Sequence, residues 1–253
     1  MKTARRTELR GGPKTTGRSL ACLVLAAGCG GGWGMMQPTD VIQASEELPI
    51  RDRSSWSGSM VDESFGLGSY KVADVDRKWT SSSSQSYFSF ESTNITGGYA
   101  FKVLDGEQKL KGECATETSD KSKNLGGGAA LSNVASKLGC RCADGGTAAT
   151  LTVQTSTGNQ YEGQLVAPEM DFKVAGIHQR ARGSSTSDAM GYRVDSATGP
   201  IGAVELKKPG RVWISKAVEG SARQQIACLF AGLLLYNPPT DRDLEMAERD
   251  GKR

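Results

Sequence analysis

The sequence predicts a mainly β domain: an antiparallel barrel or sandwich of about ten strands packed on one hydrophobic C-terminal helix. Three observations carry this. Short alternating segments recur between residues 69 and 214, with turn residues between many of them. One helix-length apolar run then follows at 226–236, and Asn237-Pro238-Pro239 stops it. Hydrophobic residues make up 37% of the 253, enough for a core, and the 32 glycines suit a loop-rich β protein rather than a fibre or a disordered chain.

In chain order, residues 69–75 alternate, placing Tyr70, Val72 and Asp74 on one face and Lys71, Ala73 and Val75 on the other. Residues 87–90 are aromatic and β-prone, and Tyr99, Phe101 and Val103 share a face of the next strand. Leu151 and Val153 lead to the turn Thr157-Gly158-Asn159, and the return strand runs through Tyr161, Gly163 and Leu165. Strands follow at 172–177, 192–195, 201–206 and 212–214, the last two divided by Pro209-Gly210. The apolar helix spans 221–236. Its eleven-residue core has no polar face, so it must be buried all round, and it is too short to span a bilayer. Among antiparallel strands, a sheet wrapped around this helix is the economical solution.

The N-terminus reads as an address. Residues 1–28 hold six of the 31 basic residues and one of the 28 acids, so the rest carries 25 against 27, a net of −2. The basic character belongs to the leader, which excludes nucleic acid as an expected partner. A basic stretch, then a short apolar run from Leu20 to Ala27, then small residues, is the pattern of a secretory signal. Its end, Leu25-Ala26-Ala27-Gly28-Cys29, resembles the lipobox of bacterial lipoproteins, with Ala26 where that family most often has Leu. The resemblance implies that the chain is cut before Cys29 and that the Cys29 thiol carries a diacylglyceryl group, anchoring the protein to a membrane of the cell envelope. Gly30, rather than Asp, follows the Cys, which by the same resemblance favours the outer membrane over the inner. Residues 29–62, with Gly30-Gly31-Gly32 and Ser54-Ser55-Trp56-Ser57-Gly58-Ser59, read as the acylated Cys and a flexible tether. Residues 63–237 are the β domain, and 238–253 a charged tail with an exposed helix at 240–249.

The last fifty residues of the domain carry a second resemblance. Tyr192-Arg193-Val194-Asp195 with Gly199 and Gly202, the strand at 203–207, the strand at 212–214 and the helix at 226–236 resemble the fold shared by tubby proteins, phospholipid scramblases and plant LURP-one-related proteins. In that family a closed antiparallel barrel encloses a hydrophobic C-terminal helix. No ligand residue carries over: the basic phosphoinositide cluster of tubby and the acidic calcium segment of scramblases have no counterpart here.

Chemistry is sparse. Cys114, Cys140, Cys142 and Cys228 are the cysteines left beyond Cys29, and an exported chain with an even number suggests disulfides. Cys140 and Cys142 lie on the same side of any strand and cannot pair with each other, so Cys114 is expected to pair with one of them. Cys228 lies in the apolar helix, where it can pack as a small hydrophobe. With His178 the single histidine, neither a metal site nor a catalytic triad is expected, and no cofactor-binding motif occurs. Asp74 with Asp76, and Glu113 with Glu117, are close enough in sequence to be weighed as paired carboxylates, although such pairs usually lie on solvated strand faces. The expectation is a non-catalytic envelope lipoprotein that binds a lipid, a glycan or an envelope protein. The alternatives are an envelope enzyme acting on lipid or peptidoglycan, or scramblase-like lipid handling.

Overall fold

The computed structural model of the chain describes residues 34–54, 63–78, 95–124, 130–155, 161–167 and 170–236. The chain parts between Gly30 and Gly31, and every described residue belongs to the second part. A short helix α1 (Thr39–Ala44) precedes the strands β1 (Ser45–Leu48), β2 (Ile50–Arg51), β3 (Phe65–Leu67), β4 (Tyr70–Lys78), β5 (Ile95–Asp105) and β6 (Gln108–Asn124). Then come β7 (Ala130–Ala143), β8 (Ala148–Thr155), β9 (Tyr161–Ala167), β10 (Met170–Ile177), β11 (Gly191–Ser196), β12 (Gly199–Glu205) and β13 (Arg211–Ser215). The long helix α2 (Gly220–Leu235) ends the described chain.

These strands form one antiparallel sheet of 13 strands in which each strand from β2 to β13 pairs with the next. The two outermost strands, β1 and β2, are neighbours in sequence with only Pro49 between them. Residues 45–48 pair with β13 and residues 50–51 pair with β3, so a single run of chain brings the two ends of the sheet together. Pro49 has no N–H to give to a ladder; its carbonyl accepts from Gly68 N at 2.9 Å. The result is a nearly closed barrel, not a sandwich.

The alternation places Tyr99, Phe101 and Val103 of β5, Leu151 and Val153 of β8, and Phe172 and Val174 of β10 inside, each 4% exposed or less. What they surround is α2. Residues 225–235 of this helix are all buried, and it touches β6, β7, β8, β9, β12 and β13. Strands so far apart in the sheet order can share one helix only when the sheet curls around it. A fully buried Leu contributes roughly 1.5–3 kcal/mol, and Leu229, Leu233, Leu234 and Leu235 all point into this wall.

Several expectations need correction. Residues 34–54, expected within the tether, fold onto and into the barrel. The Gly and Ser runs on either side read as flexible, but Val41, Leu48 and Ile50 between them are spaced to fit a helix and then a closing strand. β6 and β7, of 17 and 14 residues, run far beyond what the sequence pattern announces. Among their described side chains, Leu110, Cys114, Leu138, Cys140 and Cys142 mark the inner face, and the many Lys, Glu, Thr and Ser in these segments obscure the alternation. The strand expected at 87–90, the signal at 1–28 and the tail at 238–253 lie outside the described residues.

Candidate functional site

The most constrained part of the molecule is the buried helix and its two ends. A helix leaves its last four carbonyls without intrahelical partners, and this end of α2 is buried in the barrel. Each is met. Gly232 O accepts from Tyr99 Oη at 2.7 Å and from Tyr236 N at 3.0 Å, and Leu233 O accepts from Tyr236 N at 3.2 Å. Leu234 O accepts from Arg53 Nη2, and Leu235 O from Arg77 Nη2 at 2.7 Å. The helix has no basic residue in its own last turn, so two arginines from the wall supply the positive charge that its negative end favours.

Those arginines are themselves enclosed. The Arg77 and Glu63 side chains are 8% and 6% exposed, with Nη2 to Oε2 at 2.7 Å and Nε donating to both carboxylate oxygens. The Arg77 guanidinium also lies 5.2 Å over the Tyr99 ring. Arg53 donates through Nη1 to Pro209 O at 2.8 Å, and burial brings its pKa down to about 10. Burial pushes the Tyr99 phenol well above the usual tyrosine range, against the opposing pull of Arg77.

At the other end Gln224 Nε2 donates to Asp105 Oδ2 at 2.9 Å, and Gln225 Nε2 donates to Thr147 Oγ1 at 2.9 Å. Arg223 joins Glu46 at 2.7 Å. The turns around this end carry Asp105, Glu107 and Asp144, with Glu219 just before the helix. These acids share the helix N-terminal end with Lys109, Lys216 and Arg223, while the C-terminal end holds Arg53, Arg77, Lys207, Lys208 and Arg211 with Glu63 and Glu205. At the C-terminal end Arg53 and Arg77 complement the helix dipole.

The four cysteines meet beside the helix. Cys114 and Cys140 are direct partners in the β6–β7 register, with Cα atoms 4.1 Å apart, and form one disulfide. Cys142, two residues on and on the same inner face, bonds to Cys228 of α2. Cys228 is thus a staple between wall and helix, not a plain packing residue. Gly232 sits against the first disulfide: a Cβ there would lie 2.9 Å from Cys114 Sγ and 3.1 Å from Cys140 Sγ.

A second packed layer lies outside. Val212 and Ile214 of β13 point to α2, while Trp213 points outward and is 1% exposed, because residues 35–42 cover it. Met35 and Val41 pack on Trp213 and Ala203, and Met35 N donates to Glu205 Oε1 at 2.8 Å. Glu205 also binds Arg211 at 2.8 Å, and Arg193 bridges Asp40 and Asp195 at 2.6 and 2.7 Å. Hydrogen bonding to Arg193 holds the Asp40 carboxyl below its ordinary range. With both faces covered, β12 and β13 are buried at consecutive positions, which explains Gly202-Ala203-Val204 and Val212-Trp213-Ile214 as near-continuous apolar runs.

The residues weighed for catalysis are dispersed. Asp74 binds Lys102 on the outer face. It sits at a bulge with φ +52°, where the register shifts between Ala73 and Asp76, so the simple alternation that put Asp74 with Tyr70 and Val72 fails. The same bulge turns Arg77 inward, which is why alternation did not find it. Glu113 and Glu117 stand opposite Arg141 and Lys137 in register. His178 Nδ1 lies 3.2 Å from Thr186 O, and Thr186 Oγ1 donates to His178 O at 2.9 Å, an arrangement that shapes a loop. Among the described residues, no group of three or more His, Cys, Asp and Glu could hold a metal ion, and no helix is long and apolar enough to cross a membrane. Cys29 lies outside the described residues.

No family model, curated protein or solved structure matches this chain. Its class rests on its own architecture: a nearly closed antiparallel barrel with a hydrophobic helix packed inside and two internal disulfides, the latter suggesting an extracytoplasmic protein.

Proposed function

We propose that the chain is a bacterial envelope lipoprotein, anchored through acylated Cys29, whose barrel is a non-catalytic binding or structural domain. The observation that carries this is the pair of buried disulfides at the heart of the fold. Disulfides persist in oxidising compartments, and the basic, apolar, small-residue leader ending in Leu25-Ala26-Ala27-Gly28-Cys29 is the kind of address that delivers a chain there. The helix within a barrel is also the arrangement expected from the likeness to tubby proteins, scramblases and LURP-one-related proteins, and a non-enzymatic role suits it. The carboxylates weighed for hydrolysis support the same reading, since each stands beside or opposite a cation or at an exposed position.

The test is Cys29→Ser, followed by labelling with radioactive palmitate and membrane fractionation. The native chain is expected to take up label and sediment with membranes, and the variant to lose the label. Undiminished label on the variant, or a native chain that takes up none, refutes acylation at Cys29.

A further inference from the structure

The described chain begins at Gly34, at one particular place on the barrel. Gly34 O accepts from Ala181 N at 2.9 Å, and Met35 bridges to Arg180, so the first described residues lie on the loop between β10 and β11. A Cβ on Gly34 would lie 3.1 Å from Glu205 Oε1 and 3.8 Å from Arg211 Nη2. Glu205 and Arg211 flank the β12–β13 turn, which carries Lys207 and Lys208. Arg53 reaches into this turn at Leu206 O and Pro209 O. The first described residues, both loops and the negative end of α2 therefore share one end of the barrel.

This end is basic. Arg182, Lys207 and Lys208 stand at its surface, beside Arg53, Arg180 and Arg211. Of the acids nearby, Glu63 and Glu205 are buried against Arg77 and Arg211. Partial burial first, and then Arg53, pull the Lys208 ammonium below its ordinary range. The opposite end is mixed: Asp105, Glu107, Asp144 and Glu219 stand there with Lys109, Lys216 and Arg223.

Five residue-to-residue steps lead from Cys29 to Gly34, and an extended chain covers at most ~3.6 Å per step, or about 18 Å. That is about two screening lengths at physiological salt, each ~8 Å. We propose that the barrel end carrying the β12–β13 turn faces the anionic bilayer surface, with the opposite, mixed-charge end turned away. This rests on the reading of Cys29 as the anchor; the charge of the rim adds its own attraction, about 1 kcal/mol per Lys or Arg near an anionic surface.

The experiment is lysine footprinting of the native protein, with acetylation rates read by mass spectrometry. Rates are compared in vesicles containing phosphatidylglycerol, in phosphatidylcholine vesicles and in neutral detergent micelles. Lys207 and Lys208 are expected to lose labelling severalfold in phosphatidylglycerol vesicles and to regain it at high salt, while Lys109 and Lys216 at the far end label equally throughout. Equal rates at both ends, or protection at Lys216 in place of Lys208, overturn the proposal. The N-terminal peptide in the same spectra reports acylation separately. An acylated Cys29 with no protected end defeats the orientation alone. A free N-terminus with Lys207 and Lys208 still protected defeats the anchor and leaves the basic face standing.

Discussion

Tyr99 concentrates several demands in one side chain. Its ring packs inside the barrel, its face receives Arg77, and its hydroxyl closes a helix carbonyl. Its folded pKa is raised by burial, so the neutral phenol is the form the fold requires. The linkage has a definite sign: the contribution is complete below the unfolded value of about 10 and is lost as pH rises past it. Tyr99→Phe is expected to lower stability by about 1 kcal/mol near neutral pH, through the lost hydrogen bond. It is also expected to flatten the decline between pH 9 and pH 11, to which Tyr70, whose pKa is likewise raised by burial, also contributes. Urea titrations at both pH values check this, and equal slopes for the two proteins would sink it. Tyr99 was legible as an inward strand residue. Its surroundings were not: Arg53 falls where composition reads as linker, Glu63 precedes the first expected strand, and the bulge at Asp74 reverses the phase that would have placed Arg77 inside.

Helix α2 is the element on which the others depend, and it was the plainest in the sequence because an apolar run without a polar stripe has only one place to go. Sequence did not disclose that Cys228 ties it to β7. Cys142–Cys228 spans 86 residues and Cys114–Cys140 spans 26. Loop-closure entropy gives roughly 4.5 kcal/mol for the first and roughly 3.5 for the second. The double variant Cys142→Ala/Cys228→Ala is expected to lose more stability than Cys114→Ala/Cys140→Ala, with denaturant midpoints as the measure; the reverse order would refute the loop-length argument. The hairpin β6–β7 and helix α1 teach the complementary lesson. The hairpin hid because its sequence is rich in Lys, Glu, Thr and Ser, and α1 hid because six residues are too few to show a period. Only what α1 covers, Trp213 on an outward face, betrays that something must lie there.

At the scale of the whole molecule, β class and central helix followed from patterning, whereas closure did not. Closure depends on Pro49 dividing one short segment between two partners, and no periodicity records that. The long-range pairing of residues 45–48 with 212–215 and the position of α2 at the end of the described chain make folding a late event. A chain ending at residue 218 keeps every strand and loses the helix. It is expected to be collapsed but unpacked, binding a hydrophobic dye and lacking the aromatic circular dichroism of the full protein; a well-packed product would overturn this. For an exported chain the order of synthesis then matters. The ribosome releases the helix that fills the barrel after all thirteen described strands. The export proposed above would then act on a polypeptide still pliable enough to be threaded, with packing and thiol oxidation left for the far side.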